Sequence, residues 1–145
     1  MRVRAKIYNV PHMNRKTPPL VRRLLHMRVV YQLAAFVTAR RMRIVGRSML
    51  PALSPGERVL FDRLAYRLDA PRLGDIVLAR YPARPGVRLI KRVAEREGLS
   101  PYEFWLLGDN AEDSTDSRAL GPFGREDIVA RAWVVYWPPE RFRIL

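Results

Sequence analysis

The sequence has 145 residues, 48% of them hydrophobic, which suits one domain with its own core. It contains no cysteine, which excludes disulfides, thiolate nucleophiles and cysteine-held metal. Its two histidines, His12 and His26, both lie in the N-terminal region, so neither a local Ser-His-Asp triad nor a histidine-rich metal site is expected, and no cofactor is implied.

The net charge of +13 is unevenly spread: residues 1–47 hold twelve Lys or Arg and no Asp or Glu, which leaves +1 for the rest of the chain. This basic segment predicts an anionic partner, a membrane surface or nucleic acid, against the plainer reading of a solvated arm. Within residues 1–41, "KTPPLVRRLLHMRVVYQLAAFVTARRMR" predicts a helix from about Thr17, where a hydroxyl cap is followed by prolines that suit a first turn. Leu20, Leu24, Met27 and Tyr31 follow helical spacing. Only eleven uncharged residues separate Arg28 from Arg40, about 16 Å of helix against a hydrocarbon core of roughly 30 Å. The segment is therefore expected to lie in a membrane interface or to pack on the domain, not to span. No small-residue cleavage pattern follows it, as a secretory signal would need, whereas its arginine-rich, acid-free composition is also that of an organellar transit peptide.

From residue 42 to 145 the pattern changes to short β-type runs between Pro/Gly turns. Strands are expected near "RMRIV", "RVLFD", "DIVLARY", "VRLIKRVA", "EFWLL" and "IVARAWVVYW", the last as a core strand whose aromatics also suit a bilayer interface. The turns are "PALSPGE", "APRLGD", "PARPG" and the polar loop "GDNAEDSTDSRALGPFG". In the fourth run Leu89, Lys91 and Val93 share one face. Of 27 basic residues only Lys6, Lys16 and Lys91 are lysine. Arginine does not give up its proton in a protein and a desolvated lysine can, so a neutral amine base has to be a lysine. Lysines on strands nevertheless mostly extend their ammonium into water.

"GRSMLPAL", residues 46–53, turns sharply at Pro51, and such a corner exposes a serine hydroxyl together with its own N–H. Alone it reads as an ordinary Ser-Pro turn, and "STDSR", residues 114–118, as a polar turn with a local Asp–Arg pair.

Taken in order, "GRSMLPAL", "GDIVLARYP" leading into "RLIKRVA", and "GDNAEDSTDSRALGP" resemble the signal peptidase I (S26) family of serine endopeptidases over roughly residues 42–137. Charge and periodicity make residues 1–41 a basic arm with an expected amphipathic helix, and the resemblance implies a mostly antiparallel β catalytic domain, assigned to residues 42–145. It places the nucleophile at Ser48 and the lysine base at Lys91, with Ser114 helping to orient the amine. Asp109, Asp116 and Arg118 match positions that brace the site, and Arg92 matches the structural arginine after the lysine. In that chemistry a neutral Lys91, hydrogen-bonded to Ser48 and Ser114, activates the hydroxyl, and the Ser48 N–H stabilises the oxyanion. Some members add a side-chain hydroxyl two residues before the nucleophile, where this chain has Gly46.

The implied function is removal of N-terminal leader or signal peptides from precursors with small residues at the first and third positions before the cut. The expected localisation is membrane-associated or cytoplasmic. Typical members carry transmembrane anchors and a β insertion after the lysine, whereas here 16 residues separate Arg92 from Asp109. This short form is similar to the peptidases that mature nickel-type superoxide dismutase, which makes a dedicated substrate the alternative. Two readings from other classes compete: a self-cleaving DNA-binding regulator of the SOS-repressor type, and a catalytically dead interaction module. The 41-residue arm is short for a DNA-binding domain and the "GDN...STDSR" loop is foreign to such regulators, so nucleic acid is not the expected partner. Intact Ser48 and Lys91 argue against a dead module.

Overall fold

The computed structural model describes residues 19–145, with backbone alone for 19–26 and Leu68. The expected cap at Thr17, His12, Lys6 and Lys16 lie outside the described residues. Helix α1 runs Pro19–Thr38. It opens on a proline, which lacks the N–H that a first turn leaves unpaired in any case. At its other end the Thr38 hydroxyl folds back on the Ala34 carbonyl at 2.7 Å, and strand β1, Arg40–Arg43, begins two residues later.

The remainder is mostly β, as expected. Strands β2 (Arg58–Asp62), β3 (Ile76–Arg80), β4 (Arg88–Ala94) and β5 (Glu103–Leu107) fall on the expected runs, as does the ten-residue strand β7 (Ile128–Trp137). Two-residue strands β6 (Phe123–Gly124) and β8 (Arg143–Ile144), and the one-turn helices α2 (Ala65–Leu68) and α3 (Ser117–Leu120), have no counterpart in the sequence reading. They are too short to show a period.

All pairings are antiparallel, in the order β1-β2-β7-β3-β4-β5-β6, with β8 paired to β7. Strand β7 is the spine. It pairs with β2 along one edge, and along the other with β3 at Ile128–Arg131 and β8 at Val134–Val135. Alternation along β3 feeds two cores. Ile76 and Leu78 join Met49, Leu53, Val59, Phe61 and Val135, whereas Val77 and Ala79 join Tyr66, Val93, Leu106, Phe123 and Ile128. Each large side chain fully withdrawn from water here contributes roughly 1.5–3 kcal/mol. The first core reaches into the turn after β1 through Met49 and Leu53, so that turn is packed as tightly as a strand.

Helix α1 lies against β2 with little buried contact. Ala35 is 2% exposed, and the Tyr31 hydroxyl donates to Asp62 Oδ2 at 2.6 Å, yet Met27, Val30, Leu33 and Val37 are each more than 60% exposed. Among the described residues no helix is long and apolar enough to cross a membrane.

Candidate active site

The turn carrying Ser48 follows β1 directly. Gly46 has φ of +87°, a conformation that favours glycine, so the position two residues before Ser48 is set by backbone geometry and offers no side-chain donor. The chain then tightens, with Leu50 N–H donating to Arg47 O and Leu53 N–H to Met49 O. The Leu50–Pro51 peptide is cis. Buried Met49 and Leu53 root the turn in the core, leaving Ser48 half-buried at its crest.

Lys91 comes from the middle of β4, opposite Val77 of β3. Its side chain is 4% exposed, and its Nζ lies 2.9 Å from Ser48 Oγ. Burial pushes the amine pKa below its ordinary 10.5; the Arg118 guanidinium acts in the same direction, and the carboxylates of Asp116 and Asp109 oppose it. The result is a lysine biased toward the neutral form, in contact with a hydroxyl. Without a neighbouring base such a hydroxyl is a poor nucleophile.

The polar loop after β5 closes the site from the other side. Asn110 N–H donates to Ser48 O at 2.9 Å. Gly108 lies so close that a Cβ on it would sit 2.7 Å from Ser48 O and 2.2 Å from Ser114 Oγ. Any side chain there separates the nucleophile turn from the loop. The fully buried Asp116 carboxylate organises the same loop: it accepts from Gly108 N at 2.9 Å, from Ser114 Oγ at 2.6 Å and from Arg118 Nε and Nη2 at 2.9 and 2.6 Å, and it caps α3 through Arg118 N. Burial alone would raise its pKa, but these donors outweigh it and hold the carboxyl well below the usual range. Arg92 makes a bidentate pair with Asp109, at 2.8 and 2.6 Å, and reaches back to Gly74 O at 2.8 Å, tying the loop to the turn before β3.

Ser48, Lys91, Ser114, Asp109, Asp116, Arg92 and Arg118 are thus gathered around one locus. One expected contact differs. Lys91 Nζ meets Ser48 Oγ and not Ser114, whose hydroxyl donates to the ionised Asp116 carboxylate, the strongest acceptor in the loop. Gly108 was present in the quoted motif but carried no role, and its tight approach is visible only once both partners are placed. No intramolecular acceptor for the Ser48 N–H occurs among the described residues.

A cleft of about 250 Å³ runs between residues 42–46 and 88–91, with Ser48 and Lys91 in its wall. Among the described residues strand β5 pairs with β4 only at Arg92–Ala94 and β1 pairs only with β2, so strand edges without a described partner border this cleft. Among the described residues no group of three or more His, Cys, Asp or Glu is placed to hold a metal ion.

The family model described as "Signal peptidase, peptidase S26" matches residues 19–100 and 94–137. The chain is 36% identical over 117 residues to the mitochondrial ATP-independent inner membrane protease subunit 1a of Arabidopsis thaliana, covering 67% of this chain and 70% of that one. It is 33% identical to the human mitochondrial inner membrane protease subunit 1, over 69% of this chain and 70% of the other. With the mouse mitochondrial inner membrane protease subunit 2 it shares 32% identity, over 71% and 70%.

Proposed function

The chain belongs to the signal peptidase family, peptidase S26, and from that premise we propose that it is a serine endopeptidase with a Ser48–Lys91 dyad that removes N-terminal leader peptides from precursor proteins. The observation that carries this reading is the 2.9 Å contact between Ser48 Oγ and the Nζ of a lysine that is 4% exposed. An extended precursor segment adds to the strand edges that border the cleft through backbone hydrogen bonds, which presents its scissile carbonyl to Ser48. Neutral Lys91 accepts the hydroxyl proton as the oxygen attacks, and the Ser48 N–H stabilises the oxyanion. The resulting ammonium returns its proton to the leaving amine. In the second half Lys91 activates water to hydrolyse the acyl-enzyme.

In this reading residues 42–145 are the catalytic domain and residues 1–41 a basic arm that docks on an anionic membrane surface. The test compares wild type, Ser48→Ala and Lys91→Met on a leader peptide ending in Ala-x-Ala and on a full-length precursor, with products identified by mass. Cutting by wild type alone is expected. Cutting by Ser48→Ala at the wild-type rate would remove the dyad from the reaction, and preference for one precursor over the peptide would favour dedicated maturation.

A further inference from the structure

The loop that presents Ser48 is stapled from behind by the C-terminal segment. Glu57, 2% exposed and immediately before β2, accepts from Ser54 N–H at 2.9 Å, which closes the end of the loop. Its carboxylate takes two bonds from Arg143 of β8, at 2.9 Å to Oε1 and 3.0 Å to Oε2, and Arg141 Nε lies 2.8 Å from Oε1. Arg143 Nη2 also donates to the carbonyl of Ala52, inside the loop itself. One guanidinium therefore bridges the loop backbone and the buried carboxylate. Its own strand is anchored by pairing to Val134 and Val135 of the spine.

Burial opposes ionisation of Glu57, but the bonds from Arg143 and the Ser54 amide outweigh it, so the anchor stays charged. A planar fork with several donors can serve both acceptors at once, whereas a lysine is a single point charge. Arg143 lines the pocket behind the loop with Ala52, Ile76 and Arg92, and does not line the cleft beside Ser48 and Lys91.

We propose that Arg143 is a positioning residue for the nucleophile: by bridging Ala52 O and Glu57 it fixes the loop that sets where the Ser48 hydroxyl and N–H stand relative to Lys91. This rests on the reading of Ser48 as nucleophile. Because Arg143 does not face the cleft, its loss acts on kcat and leaves KM unchanged. A misplacement on the order of 1 Å near reacting atoms costs roughly a hundredfold, so a partly relaxed loop is expected to lose about ten- to a hundredfold.

The test uses the full chain as wild type, Arg143→Lys, Arg143→Ala and Arg141→Ala, with steady-state cleavage of a leader peptide, melting temperature, and hydrogen exchange at Leu53 and Ser54. Arg143→Lys is expected to lose at least tenfold in kcat at unchanged KM, with faster exchange at Leu53 and Ser54. Arg141→Ala, which removes a contact to Glu57 but none to Ala52, stays within about twofold of wild type. Added methylguanidinium restores kcat to Arg143→Ala, which also decides the matter if the lysine variant does not fold. Wild-type kcat in Arg143→Lys, an equal loss in Arg141→Ala, or no rescue by methylguanidinium would overturn the proposal. Failure of the dyad reading shows separately, as activity in Ser48→Ala, while the exchange readout still reports whether Arg143 holds the loop.

Discussion

At Lys91 the burial that makes the amine a usable base also weighs against folding. The folded-state pKa is depressed, so between that value and the ordinary 10.5 the unfolded chain binds a proton that the native one does not. Stability therefore rises with pH between the depressed value and 10.5, and below the depressed value the penalty is constant. Lys91→Met, which removes the titration while keeping an apolar stem, is expected to melt higher than wild type at neutral pH while losing activity. Wild-type kcat/KM is expected to rise through an acid limb set by the depressed Lys91 pKa, below 10.5, and then level. A limb at the ordinary amine pKa, or a lower melting temperature in Lys91→Met, would contradict this account. That a lysine stood in an apolar alternation was legible from Leu89 and Val93 alone. Its contact with Ser48 followed from the family resemblance and not from pattern, and the second contact expected from it, to Ser114, is replaced by the bond from the Ser114 hydroxyl to Asp116.

The elements around the site differ in how openly the sequence declares them. Strand β4 alternates in burial over Ile90–Ala94, and β7 over Ile128–Trp133 before its phase shifts at Val134, so both show a strand pattern. Strand β8 is two residues long and depends on its partner β7, so nothing local announces it, although it delivers Arg143. The loop from Gly108 to Arg118 reads as polar surface in the sequence, yet it is folded around the buried charge of Asp116. Asp116 satisfies the Gly108 and Arg118 amides and the Ser114 hydroxyl. The closest approach in this region tests how much precision the loop supplies. Gly108→Ala places a methyl within contact-forbidden range of Ser48 O and Ser114 Oγ. It is expected to lower kcat/KM by about a hundredfold through displacement of the nucleophile turn. Crystals or amide chemical shifts of this variant should show the movement at Ser48 and Asn110, and unchanged activity would mean that the loop yields freely.

Across the whole molecule, charge and apolar exposure coincide. The acid-free first 47 residues carry +12, and the described part of that segment presents Met27, Val30, Leu33 and Val37 to solvent on a helix that touches the body mainly through Ala35 and Tyr31. Basic residues near an anionic surface contribute roughly 1 kcal/mol each, and the exposed apolar side chains add burial in the interface. Co-sedimentation with phosphatidylserine-containing vesicles is therefore expected, falling steeply as salt is raised and largely lost in Leu33→Asp/Val37→Asp. Equal binding to neutral vesicles, or binding indifferent to both changes, would leave the arm without this role. The near-exclusive use of arginine has another consequence. Beyond residue 16 the chain contains one primary side-chain amine, and it belongs to Lys91. Biosynthetic incorporation of lysine labelled at Cε and Nζ would therefore mark one site within residues 17–145, at the dyad itself, without altering the amine. Protonation, substrate arrival and acylation at Ser48 would then be visible as movements of one spectroscopic line.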